Sequence, residues 1–178
     1  MIKFEKVSFK QYVLDSTGNP LESFSKEVQD GLKEEWQNIK LPCRATKGSA
    51  GYDFYAPYKF EVKPATVVGN EVIHRPNTVA TGIKFVTDES DKVLLCIPRS
   101  GLGFRTGMRL CNTIGVIDSD YAHSKNEGHI MMKVISDKET LVDAGQRMMQ
   151  GVIITFNTVT DEEAITADRD GGFGSTGK

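Results

Sequence analysis

The stretch "TVATGIKFVTDESDKVLLCIP" (Thr78–Pro98) decides the fold class. Two apolar runs, "TVATGIKFV" (78–86) and "KVLLCIP" (92–98), stand on either side of a polar "TDESD". Both are too short and too rich in β-branched residues for helices, so they read as strands. The same design recurs outward in both directions, at "IKFEKVSF" (2–9), "GYDFYAP" (51–57), "TIGVID" (113–118), "HIMMKVI" (129–135) and "GVIITF" (151–156). Gly, Pro, Asn or Asp lies between most of these runs. Many short strands parted by turn residues predict an all-β sandwich or barrel. The sequence shows no internal repeat and no heptad pattern.

One segment breaks the pattern. In "NPLESFSKEVQDGLKEEWQNI" (19–39) the residues Leu21, Phe24, Val28, Leu32 and Trp36 recur at helical spacing. Asn19 suits an N-cap, Pro20 a first turn, and Glu22 stands where a capping box places its acid. One amphipathic helix over 19–39 is therefore predicted, inserted after the first strand. It is expected to pack on the barrel or on a partner.

The bulk properties narrow the function. A chain of 178 residues suits one domain with a core of its own. The net charge of −2 and the absence of any Lys/Arg run argue against binding polymeric nucleic acid, which needs a basic stripe. A phosphorylated small molecule needs only a few well-placed groups. Three cysteines, Cys43, Cys96 and Cys111, are odd in number and widely spaced. That speaks against a disulfide framework or a zinc site and for a reducing compartment. Cys96 and Cys111 read as buried apolar thiols. The N-terminus lacks a signal peptide's apolar core, and no run is long enough to span a bilayer, so a cytoplasmic protein is expected.

Five segments carry groups suited to phosphate and water chemistry. In "PRSGLGFRTG" (98–107) Arg99 offers a planar fork of donors, Ser100 a hydroxyl, and Gly101 and Gly103 close backbone approach. In "GVIDSDYAHS" (115–124) Asp118 follows an apolar hairpin arm. Its carboxylate suits either acceptance of a proton from water or capping of its own turn. "GQRMMQGVI" (145–153) sets Gln146, Arg147 and Gln150 at a buried strand, and "GSAGYDFYAP" (48–57) puts Asp53 inside one. A carboxylate there needs hydrogen bonds or a cation. The chain ends "ADRDGGFGSTGK" (167–178), glycine-rich around a single Phe; termini of such composition are commonly frayed.

Taken in order, these segments resemble the trimeric dUTP pyrophosphatases (dUTPases). The five ordered motifs of that family have counterparts in "AGYDFYAP", "PRSGLG", "GVIDSDY", "GQRMMQGVI" and "RDGGFGSTG", and "LPCRATKGSAG" and "VATGIKF" are similar too. The resemblance covers about residues 41–178. It implies a distorted jelly-roll β-barrel over 1–165 and a flexible arm over 166–178 that closes over an active site. It implies a homotrimer with active sites shared between subunits, Mg²⁺ as cofactor, and hydrolysis of dUTP to dUMP and pyrophosphate. Asp118 would activate the water and Gln150 would donate to the α-phosphate or the water. Arg99, Ser100, Gly101, Arg169, Ser175 and Thr176 would bind phosphates. Asn112, Gly115, Val116, Ile117 and Tyr121 would recognise uracil and deoxyribose, with Phe173 stacking on the base. Met131 would line the same pocket or serve the core. Mg²⁺ would be held mainly by substrate phosphates and water, with Asp53 in its outer shell or at the trimer interface.

The sequence also departs from the family pattern. "DYAHSKNEGHI" (120–130) carries about five extra residues, with His123 and His129 expected as solvated loop residues rather than a metal pair. Gln146 stands where an acid is common, and the last motif is one residue short between Arg169 and Phe173. The helix at 19–39 and the loop 122–128 are the expected surfaces for a regulatory protein partner. A dCTP deaminase of the same fold is the alternative enzyme, less compatible with "GVIDSDY" and the Phe-bearing tail.

Overall fold

Along residues 83–87 the side chains alternate with a period of two. Ile83, Phe85 and Thr87 are buried while Lys84 and Val86 are half-buried, as in a strand with one face on a core. A computed structural model describes residues 1–74 and 76–162. In chain order its elements are β1 (Ile2–Lys6), α1 (Phe9–Thr17), α2 (Lys26–Asn38), β2 (Cys43–Arg44), β3 (Tyr52–Tyr55), β4 (Phe60–Val62), β5 (Thr66–Val68), β6 (Glu71–Ile73), β7 (Asn77–Ala80) and β8 (Ile83–Thr87). They continue with β9 (Lys92–Pro98), α3 (Ser100–Thr106), β10 (Arg109–Leu110), β11 (Gly115–Asp118), β12 (Met131–Ile135), β13 (Thr140–Val142) and β14 (Arg147–Thr155).

The strands form several small antiparallel sheets. The largest has the order β11-β9-β14-β3-β2, a second β10-β12-β7, and pairs β1-β8, β13-β4 and β5-β6 complete the set. Phe54, Leu94 and Met149 from the first sheet meet Met132, Val134, Ile83 and Phe85 from the others in one core. Gly151 on β14 allows the sheet to close on that core: a Cβ there would stand 2.8 Å from Leu94 Cδ1 and 2.9 Å from Phe54 Cε2. The predicted all-β class holds, and among the described residues no helix is long and apolar enough to cross a membrane.

The predicted single strand over 78–86 is two strands. Gly82 breaks it with φ +72, and a side chain there would collide with Ile39 Cδ1 just past α2. The helical region also differs from expectation. Residues 9–17, whose start was expected to close the first strand, form α1. Ser8 caps it by accepting from the Gln11 N–H at 3.2 Å, and Gly18 ends it with φ +74. Pro20 is extended, Leu21–Ser23 make one 3-10 turn, and α2 starts later, capped by Ser25 rather than Asn19. The expected capping box does not form, because Asn19 bonds back to Thr17 instead of forward.

Packing of α2 uses its last turn. The Trp36 indole N–H donates to the Val7 carbonyl at 3.0 Å, and Lys6 Nζ sits 5.3 Å from the Trp36 ring centroid. Tyr12 of α1 is buried and donates to Glu35 at 2.6 Å; burial and the carboxylate beside it push its hydroxyl well above the ordinary tyrosine range.

Cys96 is buried on β9, as expected, but Cys111 is exposed, because the turn after β10 carries it off the core. Burial pushes the Cys96 thiol up to about 12, leaving almost no thiolate near neutrality. Alkylation of the folded protein at about pH 8 is expected to modify Cys43 and Cys111 first and Cys96 only in denaturant. Peptide mass mapping reads this directly.

Candidate active site

Three of the quoted motifs meet at one buried carboxylate. Asp53 on β3 is 1% exposed. Its Oδ1 accepts from Arg99 Nε at 3.1 Å and from Gln150 Nε2 at 3.3 Å, and its Oδ2 from Arg147 Nη1 at 3.2 Å. Strand register makes the meeting possible. Gln150 on β14 lies opposite Asp53 on β3 and Ile97 on β9, so Arg99 stands two residues beyond that rung. Gly51 gives Gln150 its room, since a Cβ there would stand 3.3 Å from Gln150 Cδ. Arg147 is uninformative in the sequence; only the fold shows that it shares the carboxylate.

Arg99 and Ser100 lead into α3, so "PRSG" enters a short helix rather than an open turn. Gly101 lies within it, and a Cβ there would meet only Arg99 Nη1, at 3.6 Å. Arg99 is about a quarter exposed, which leaves part of its guanidinium available to a ligand anion.

The third motif lies elsewhere. β11 runs antiparallel to β9 with Gly115 opposite Cys96 and Asp118 opposite Val93. Gly115 fits tightly, its missing Cβ falling 3.2 Å from Cys96 Cβ. Asn112 is exposed just before a turn in which Thr113 has φ +66. Val116 is 58% exposed, while Ile117 packs on the core. Asp118 begins a 3-10 turn, Ser119–His123, yet its side chain makes no capping bond there.

No ladder among the described residues joins β11 to β12. Among the described residues β11 pairs with β9 and β12 with β7 and β10, so the connector 119–130 joins two different sheets. Tyr121 turns inward, 5% exposed, donating to the His129 carbonyl at 3.1 Å and accepting from Asn126 Nδ2 at 2.8 Å. Met131 is half-buried and lines a cavity of about 350 Å³ with Asp15, Thr78, Asn126 and Lys133, apart from Gly115–Asp118. His129, expected in solvent, is completely buried; His123 is exposed as expected. Arg169, Phe173, Ser175 and Thr176, with the whole arm 166–178, lie outside the described residues.

Among the described residues no three His, Cys, Asp or Glu side chains cluster as a metal cage. Both oxygens of Asp53 already face guanidinium groups, a poor setting for a divalent cation.

Comparisons with known proteins agree with these motifs. A family model described as dUTPase matches residues 37–177. A deoxyuridine 5'-triphosphate nucleotidohydrolase of Lactococcus lactis is 35% identical over 143 residues, 78% of this chain and 89% of that protein. The crystal structure of dUTPase from Streptococcus mutans superposes with a TM-score of 0.60 at 27% identity, covering 88% of this chain and 98% of that one. A mutant dUTPase from phage phi11 of S. aureus, described with a structural Mg(II) ion, gives 0.56 at 17% identity over 72% of this chain and 91% of its own. A jelly-roll β-barrel bearing an arginine pair and a strand-end carboxylate suits a hydrolase of nucleoside triphosphates. The chain belongs to the dUTPase family, and it hydrolyses dUTP to dUMP.

Removing the buried carboxylate leaves two guanidinium groups and an amide without their partner. Asp53→Ala is expected to cost about 2 kcal/mol, as for a lost charged hydrogen bond. Thermal melts of the two proteins at equal concentration would show a lower Tm for the variant.

Proposed function

We propose that this dUTPase works as a homotrimer whose active sites are shared between copies. One observation carries the reading: Asp118 and Arg99 sit at opposite ends of β9. Asp118 pairs with Val93, and the six residues from Val93 to Arg99, at about 3.3 Å each, span roughly 20 Å. Within one chain the two groups are too far apart to act on one phosphorus. A second copy that brings its Asp118 to the Arg99 of the first removes the difficulty.

In such a site Arg99, Ser100 and Gly101 hold phosphate oxygens, with Arg99 oriented from behind by Asp53. Asp118 of a neighbouring copy orients a water and takes its proton as the oxygen bonds to the α-phosphorus. The bond from that phosphorus to the bridging oxygen breaks, and the diphosphate leaves with the bond's electron pair. Gln150 donates to the α-phosphate or to the water. Substrate phosphates and water rather than Asp53 would hold Mg²⁺, which when bound would supply charge neutralisation for the leaving group. Positioning supplies much of the effect, since an ordinary carboxylate is a weak base.

Backbone groups of Gly115, Val116 and Ile117, with Asn112, meet the uracil edge at the gap between β11 and β12. A cytosine there leaves buried donors and acceptors unpaired, which discriminates strongly. Tyr121 borders the sugar side, while Met131 lines the separate cavity beside Asn126. Arg169, Ser175 and Thr176 of the arm bind the outer phosphates and Phe173 covers the base. Closure of the arm would exclude water from the reacting centre. The segments 19–39 and 122–128 are the surfaces expected to meet a regulatory partner; the contacts of the loop with α1 account for it without one.

With Mg²⁺ the protein is expected to release diphosphate from dUTP and little from dTTP, dCTP or UTP. Asp118→Asn should lower kcat by at least about 100-fold. Sharing of the site has its own measurement. Asp118→Asn and Arg99→Ala proteins, each nearly inactive, should regain part of the activity when unfolded, mixed and refolded together. No regain would place the whole site within one chain.

A further inference from the structure

The two segments that depart from the family pattern, the helical region and the loop after Tyr121, are fastened to each other. His129 is completely buried. Its Nδ1 lies 2.6 Å from Asp15 Oδ2 on α1, and its Nε2 accepts from the Gly82 N–H at 2.7 Å. Because Nε2 is an acceptor, the ring proton belongs on Nδ1, directed at the carboxylate. Asp15 takes a second bond from Gln11 Nε2 at 2.8 Å. Burial raises the Asp15 carboxyl, but the bonds from His129 and Gln11 outweigh it and hold the group below its ordinary value.

A second tie lies at the start of α1. Glu127 accepts from the Ser8 N–H at 2.8 Å and from the Ser8 hydroxyl at 2.6 Å. Glu127 has φ +58, a conformation that L residues seldom adopt, and the two bonds to Ser8 hold it there. Gly128 comes next with φ +71, packed so close that a Cβ would stand 2.6 Å from Ala122 Cα. The loop thus folds back on the turn that contains Tyr121. The Ser124 hydroxyl donates to the Tyr121 carbonyl at 2.7 Å, the His129 N–H to the Asn126 carbonyl at 3.1 Å, and the Tyr121 hydroxyl to the His129 carbonyl.

We propose that His129, clamped between Asp15 and Gly82, is a positioning residue for the sugar side of the active site, acting through Tyr121. It does not touch substrate. It fixes the carbonyl that holds the Tyr121 hydroxyl and the loop that supplies Asn126 to the wall beside Met131. Between Asp118 and Met131 the connector joins no strand ladder; the packing of its 3-10 turn on β8, the bonds of Ile130 with Ile83 and Thr81, and these ties to α1 together set its path. The assignment to the sugar side rests on the site proposed above.

Asp15→Ala, Asp15→Asn and His129→Asn are the variants, with the exposed Lys26→Ala as control. The full-length proteins are compared for dUTP and UTP hydrolysis and for amide hydrogen exchange. Asp15→Ala is expected to raise KM for dUTP and to lower the preference for dUTP over UTP, each about tenfold, with a smaller change in kcat. Asp15→Asn, which keeps an acceptor for Nδ1–H, should recover most of both. Exchange should quicken in 119–129 while β9 and β14 keep their protection. Unchanged KM, preference and exchange in Asp15→Ala would overturn the proposal, as would a lower Tm with kinetics untouched. A wild-type protein inert toward dUTP would instead sink the activity, and the exchange measurement would still decide whether the clamp orders the connector.

Discussion

A carboxylate with almost no access to water persists in a folded protein only if cations or donors meet it. Asp53 stands in that position, and the arrangement around it answers the need. Arg99 arrives from the end of β9, Arg147 from the start of β14, and Gln150 from the rung opposite. The register of three strands is thereby tied to the direction of one guanidinium. An arginine free to sample its rotamers loses much entropy on binding phosphate; one already held at Nε keeps its fork aimed. The same contact serves stability and, in the proposed site, phosphate binding, and residues of three separate motifs crowd a single pair of oxygens.

β9 is the second organising element. It has apolar neighbours on both sides, β11 and β14, and carries chemistry only at its ends. Arg99 and Ser100 follow directly after Pro98, and Asp118 stands beside Val93. That separation, most of the length of a rigid strand, is the basis on which the site is proposed to be shared between copies. Two exposed apolar side chains nearby, Phe104 beyond the end of β9 and Val116 opposite its middle residue Leu95, fit surfaces made to be covered.

Legibility in the sequence tracked the range of the interactions. The strand at 92–98 could be read from its own residues, because both faces are apolar and Pro98 stops it. Asp53 could be predicted to have partners, since its neighbours in sequence are aromatics of a buried strand, but Arg147 could not be chosen from among the cations. α1 is hidden because "IKFEKVSF" alternates almost to its start; Ser8 and Gly18, on either side of the helix, are the available signal. The start of α2 is easily placed too early because Pro20 and Glu22 imitate a first turn, whereas Ser25 makes the capping bond. His129 looks like a solvent residue because its partner, Asp15, lies 114 residues away on a helix that the local pattern conceals. That β11 and β12 join different sheets is a global property that local alternation does not contain.

The mutual fastening of α1 and the loop 122–129 has a consequence for how such a chain is changed. Excising the helices alone would strand an imidazole and a left-handed glutamate with nothing to answer them. Transplanting the loop alone into a plainer barrel would import the same two orphans. The additions form one cassette in physical terms although they are written more than a hundred residues apart, and lineages should gain or shed them as a unit.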